Sequence, residues 1–173
     1  GKVTIKIYPG ATLGNPKTMV DAIKTGITDI GFVLPSYVPG RFQRSSVFDL
    51  PYIFNGAVNM TNVMYELYEK NFAPDYKQFK VLWFLAAPLS QVFTVEKPIA
   101  AAADFQGMKI RSGNSLESES LKKWGASPVG MPVSELSISM QKGVVDGALT
   151  AYSALKSHNL IDVIHHMTEL NFS

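Results

Sequence analysis

Met108-Lys109-Ile110-Arg111-Ser112-Gly113-Asn114-Ser115-Leu116-Glu117 reads as the end of a strand, a turn and the start of a helix. Arg111 closes the apolar strand pattern and is one of only three arginines, against thirteen lysines. Lysine is the surface charge of this chain, so an arginine here is a specific choice. A guanidinium is planar, always charged, and offers a fork of donors that fits a carboxylate through two parallel hydrogen bonds, which an ammonium cannot do. Asn114 and Glu117 have capping-box spacing, Gly113 lets backbone come close to a ligand, and the free N–H groups of a helix start attract anions. Strand end, arginine and helix N-terminus together predict an anion receptor in an α/β fold.

Working outward, strand and helix patterns alternate. Val3, Ile5 and Ile7 have the period of a half-exposed strand, closed by Pro9-Gly10. Asn15 as cap, Pro16 and Gly26 bracket a short helix carrying Met19, Val20 and Ile23. The apolar runs 30–34 and 81–85 read as buried strands, and Met60, Val63, Met64, Leu67, Tyr68 and Phe72 recur at helical spacing between them. After Pro88 the rhythm restarts. Strands are predicted over 91–95, 108–111 and 147–152. Helices are predicted around Leu116, Leu121 and Trp124, after Ser134 as cap, and over 155–163. The lobe boundary falls near 88–91, giving a first lobe over 1–90 and a second over 91–173. Each is an α/β layer with a mainly parallel sheet, and in such sheets ligands sit outside the carboxyl ends of strands.

Composition narrows the function. With 173 residues, 46% hydrophobic and 17% charged, the chain has material for one core or two small ones. A net charge of +2, with scattered basic residues, gives no footprint for nucleic acid and no polybasic run for a membrane surface. No run of eighteen apolar residues exists, so no direct membrane insertion is expected. The absence of cysteine excludes disulfides, thiolate metal sites and cysteine nucleophiles.

Three further stretches carry a resemblance: Asp104-Phe-Gln-Gly-Met-Lys-Ile-Arg111, Gly125-Ala-Ser-Pro-Val-Gly-Met-Pro-Val-Ser-Glu135 and Gln141-Lys-Gly-Val-Val-Asp-Gly147. With Asp29-Ile-Gly31, Gly40-Arg41-Phe42 and Asp49-Leu-Pro-Tyr52 in the first half, they resemble the motif series of TRAP substrate-binding proteins of the DctP-like family. These are the extracytoplasmic receptors of tripartite ATP-independent transporters. The resemblance implies a two-lobed, periplasmic-binding-protein-like architecture, a periplasmic location, and capture of a small organic acid for delivery to membrane permease subunits. It also implies that the chain is an internal portion of that fold, incomplete at both ends, whose unfinished lobe edges would favour association.

By the same resemblance Arg111 pairs with the substrate carboxylate, and Arg41 lies by the cleft. Gln91 stands where relatives carry another arginine, which favours a monocarboxylate over a doubly charged ligand. Val133, Thr150 and Tyr152 occupy pocket-lining positions, and Tyr152 offers a ring face and a hydroxyl. Asn114 joins the set from the turn after Arg111. The competing readings are a structural ion pair of Arg111 with Glu117 or Glu119, and Tyr152 as core. Tyr37 and Trp83 lie near predicted strand ends, where aromatics more often belong to the core.

No enzyme is expected. His158, His165 and His166 lack helical zinc spacing, and no nucleophile elbow, phosphate loop or dinucleotide fingerprint is present. Glu117 and Glu119, two apart on a helix, point in different directions and read as a solvated face rather than an acid–base pair. Neither cofactor nor metal is called for. The alternative function is a sensory receptor of the same fold, since architecture alone does not separate import from sensing.

Overall fold

The computed structural model describes residues 2–172. Its one sheet lies entirely in the second half. Strands β1 (Ser90–Thr94), β2 (Lys109–Ser112), β3 (Ser127–Gly130), β4 (Gly147–Ala151) and β5 (His166–Phe172) lie in the order β3-β2-β4-β1-β5. Strand β2 runs parallel to β3 and β4, whereas β1 runs antiparallel to β4 and β5. The parallel pairs follow from helical crossovers: α3 (Ser115–Lys123) joins β2 to β3, and α4 (Leu136–Gln141) precedes β4. Strand β1 enters from the first half without such a crossover, so the expectation of a mainly parallel sheet holds only for the β3-β2-β4 side.

Side chains alternate across β4 and feed two cores. Leu149 joins Val92, Ile110, Leu121 and Phe105 on one face, while Ala148 joins Leu136, Met140, Val145 and Leu160 on the other. Burial on both faces fits the small and apolar composition of β4, in which Thr150 is the one polar side chain. Gly147 is required where β4 starts, because a Cβ there would lie 2.6 Å from the Phe93 carbonyl oxygen and 2.7 Å from Thr94 Cγ2.

The first half is built from helices and turns. Helix α1 (Met19–Lys24) follows a turn in which Asn15 Oδ1 accepts from the Lys17 and Thr18 N–H groups, so the predicted helix forms one turn later than its cap suggests. Helix α2 (Ala57–Leu67) continues through a π-turn at Tyr68–Phe72, as the apolar spacing implies. Phe48, Phe72, Tyr76 and Phe84 pack edge to face around it.

Three strand expectations are corrected. Residues 3–7, 30–34 and 81–85 form no ladder with any described residue. Val3, Ile5, Phe32, Leu82 and Leu85 are exposed. Apolar alternation supplies the propensity for a strand, but a strand exists only beside a partner edge. Segments 29–35 and 80–85 instead flank an apolar groove of about 360 Å³, reaching Phe42, Tyr76 and Phe79. In the second half, Ser134 makes no cap; a 3-10 turn over Val133–Glu135 leads into α4. Helix α5 covers Tyr152–Ser157, earlier and shorter than the predicted 155–163, and β5 was not anticipated.

Candidate functional site

The carboxyl ends of the parallel strands converge on Arg111. Its side chain is only 4% exposed. Nε donates to the Met131 carbonyl beyond β3 at 2.9 Å, Nη1 to the Leu149 carbonyl of β4 at 2.9 Å, and Nη2 to the Tyr37 hydroxyl at 3.0 Å. All three acceptors are neutral. A guanidinium carries five N–H donors, so two remain without a partner among the described residues. No carboxylate lies within ion-pair distance of Arg111 among those residues; the ion pairs found there are Arg41–Asp21 and Lys122–Glu119. Gly113 covers the fork, and a Cβ there would sit 3.0 Å from Nη2 and 3.2 Å from Nη1. The close approach foreseen for this glycine is therefore made to the arginine itself.

The helix start behaves differently from the expectation. Asn114 Oδ1 accepts from Glu117 N–H at 2.8 Å, so the capping residue is as predicted, but Glu117 Oε2 reaches back to Gly113 N–H. The chain's own carboxylate thus occupies the donor that was expected to attract an external anion. Glu117 is buried, not part of a solvated face; it feels the Arg111 charge but lies beyond ion-pair distance, its oxygens bonding the Gly113 N–H and the Ser90 hydroxyl instead. Glu119 is exposed and pairs with Lys122. Burial pushes the Glu117 carboxyl above its ordinary range; the Arg111 charge and the Gly113 N–H oppose the rise, and the Asp49 charge adds to it.

Asp49 ends a 3-10 turn of the first half, and burial pushes its carboxyl up to about 6. The folded state therefore holds this proton more tightly than the unfolded chain, whose value is near 3.8. The associated stability is complete below that value and is lost as pH rises through about 6. Asp49→Asn is expected to stabilise the protein at pH 7.5 and to make no difference near pH 4, as read from urea melts at both values. An equal gain at both values would show that ionisation of Asp49 is not the cause.

The other predicted positions divide into two groups. Val133 donates its N–H to the Tyr37 hydroxyl at 3.3 Å and so belongs to the Arg111 cluster. Thr150 is buried at the end of β4. Tyr152 is half-exposed, with its ring edge to face against Phe93, so it is neither plain core nor free. Arg41, Gln91 and Asn114 are committed internally. Arg41 forms a two-pronged surface ion pair with Asp21 at 2.7 and 3.2 Å. Gln91 is buried; its Oε1 accepts from the Leu170 and Asn171 N–H groups, and its Nε2 donates to Asn171 Oδ1. The amide spans the β1–β5 bulge rather than facing a ligand.

Tyr37 is not core, as aromatics near strand ends more often are: it carries the first half onto Arg111. Pro35 starts the 3-10 turn that holds it, which is a visible sequence signal, but the partner is 74 residues away. Trp83 is half-exposed and lines the apolar groove. His165 and His166 hydrogen-bond the carbonyls of Val95 and Glu96. No group of three or more metal-ligating side chains occurs among the described residues.

The α/β fold thus sets a buried arginine, held by neutral oxygens, at the carboxyl ends of its parallel strands. The family model described as bacterial extracellular solute-binding protein, family 7 (DctP), matches residues 1–172, and the chain belongs to that family. It is similar to a marine metagenome TRAP solute-binding protein specific for aromatic acid ligands, solved with metahydroxyphenylacetate. Identity is 32% and the TM-score 0.93, over 99% of this chain and 55% of that one. A TRAP periplasmic solute-binding protein from Bordetella bronchiseptica with bound (R)- and (S)-mandelate is 33% identical, with a TM-score of 0.88 over 99% and 56% of the two chains. One from Rhodoferax ferrireducens, in complex with copurified benzoate, is 29% identical, with a TM-score of 0.85 over 89% and 48%. The chain spans about half the length of the curated relatives it matches, 53% and 46% of the first two. No described helix is long and apolar enough to cross a membrane.

Proposed function

We propose that this chain is the ligand-capturing part of a periplasmic TRAP receptor that binds an aromatic monocarboxylate and presents it to membrane permease subunits. The observation that carries the reading is Arg111: a buried cation held by three neutral oxygens, with two N–H donors to spare. Burying a guanidinium is costly unless a counter-charge accompanies it, and a ligand carboxylate supplies one. The three similar structures above hold aromatic or benzylic acids, which narrows the class. Within this chain Thr150 contributes a hydroxyl and Tyr152 a ring face. Arg41, Gln91 and Asn114, occupied elsewhere, are left out of the binding set.

Capture involves no chemistry. The two lobes, 1–90 and 91–173, hinge near 88–91 and close because the ligand contacts both better when closed. A thermal-shift screen on the full-length gene product tests this. Mandelate or benzoate at about a hundred times its dissociation constant adds roughly 2.7 kcal/mol and raises the melting temperature, while succinate and benzamide do not. Shifts with succinate or with neutral sugars, and none with aromatic acids, would overturn the assignment.

A further inference from the structure

Resting on that reading, we infer that Tyr37 is an internal latch: its hydroxyl stands in for a ligand oxygen on Arg111, and capture is an exchange in which the incoming acid displaces it. Two donors from separate segments, Arg111 Nη2–H at 3.0 Å and Val133 N–H at 3.3 Å, converge on this single oxygen. A cationic fork and a backbone N–H aimed at one point form the arrangement that holds a carboxylate oxygen. A phenol oxygen is a weaker acceptor than a carboxylate, because hydrogen bonds to ionised acceptors are roughly twice as strong as neutral ones. The hydroxyl therefore occupies the position without matching the charge.

Three observations make Tyr37 a competitor rather than a scaffold. It belongs to a short 3-10 turn of the first half, whereas both donors belong to the second, so the bond lasts only while the halves meet there. The guanidinium keeps its place without Tyr37, because the Met131 and Leu149 carbonyls hold Nε and Nη1 from the sheet side. And the fork is shut in: Arg111 is 4% exposed, and it lines neither the groove along 29–35 and 80–85 nor the one along 95–97, 106–108 and 140–146. Protein atoms cover the fork, so something must leave before a ligand arrives, and Tyr37 is the only one of the three acceptors that is a side chain.

A competitor subtracts the same factor from every ligand. Tyr37→Phe keeps the ring and removes the competing oxygen. Benzoate and mandelate are both expected to bind about three- to tenfold tighter, by the same factor for each, in calorimetry on the full-length protein. The ligand-free variant should melt lower and show a larger ligand-induced shift, and the Val133 amide should exchange faster with solvent. A hydroxyl that merely supports the fold would lower the melting temperature without tightening binding. Arg111→Ala, measured alongside, separates the failures. If neither acid binds the wild type, or binding is indifferent to Arg111→Ala, the anion site and the latch fall together. If binding needs Arg111 but Tyr37→Phe leaves affinity equal or weaker, the latch alone is overturned.

Discussion

Replacing Arg111 with alanine is expected to abolish calorimetrically detectable binding of aromatic acids and to lower stability as well. Removing one partner of a desolvated charge pair costs about 3–5 kcal/mol, which is on the order of a hundredfold or more in affinity. The loss of stability arises because Arg111 is also a crosslink. Its Nε and Nη1 hold the Met131 and Leu149 carbonyls, tying the loop after β3 to the end of β4. An orphaned buried acceptor costs about 1–3 kcal/mol, so the melt of the ligand-free variant should shift visibly. Arg111→Lys retains a charge but not the fork, and should recover only part of the binding. Wild-type affinity in either variant would end the assigned role.

The second large effect is at Gly147. Alanine there places a methyl 2.6 Å from the Phe93 carbonyl oxygen and 3.1 Å from Ile110 Cδ1, at the junction of β1, β2 and β4. The carbonyl belongs to a central strand and cannot retreat without breaking the β1–β4 ladder, where Thr94 pairs with Gly147. Overpacking of this kind costs about 3 kcal/mol. Gly147→Ala should therefore lose roughly that much in denaturant melts, with no direct contact to Arg111. A stability within about 0.5 kcal/mol of wild type, the range of an innocuous surface change, would mean that the strands slide to make room.

The second half of the chain was far more legible than the first. Strands β1, β2 and β4 and helix α3 fall where periodicity and the Asn114 cap place them, because each buries its apolar residues against neighbours supplied by nearby sequence. Residues 30–34 and 81–85 show equally good apolar runs, yet they stand unpaired beside a groove, and pairing is not a property a segment carries alone. Strand β5 went unread because its inward positions open on the polar His166 and Thr168, and its register bends at a bulge closed by Gln91.

For the site, Arg111 was legible because an arginine among lysines at a strand end is chemically distinctive. Its partners were not. Two are backbone carbonyls, which look alike at every position, and the third is a tyrosine with nothing local to mark it. Glu117 was misread because its helical spacing suggested water, while the backward reach to Gly113 draws it inside.

The placement of the two tryptophans gives the chain built-in optical labels. Trp124 lies against Phe105 and Phe172 in the core beneath the sheet, while Trp83 is 54% exposed beside the groove of the first half. Emission from the former belongs at the blue edge and resists iodide; the latter emits to the red and is quenched. Each half thus reports its own state by colour, and unfolding of either one can be followed without attaching a dye.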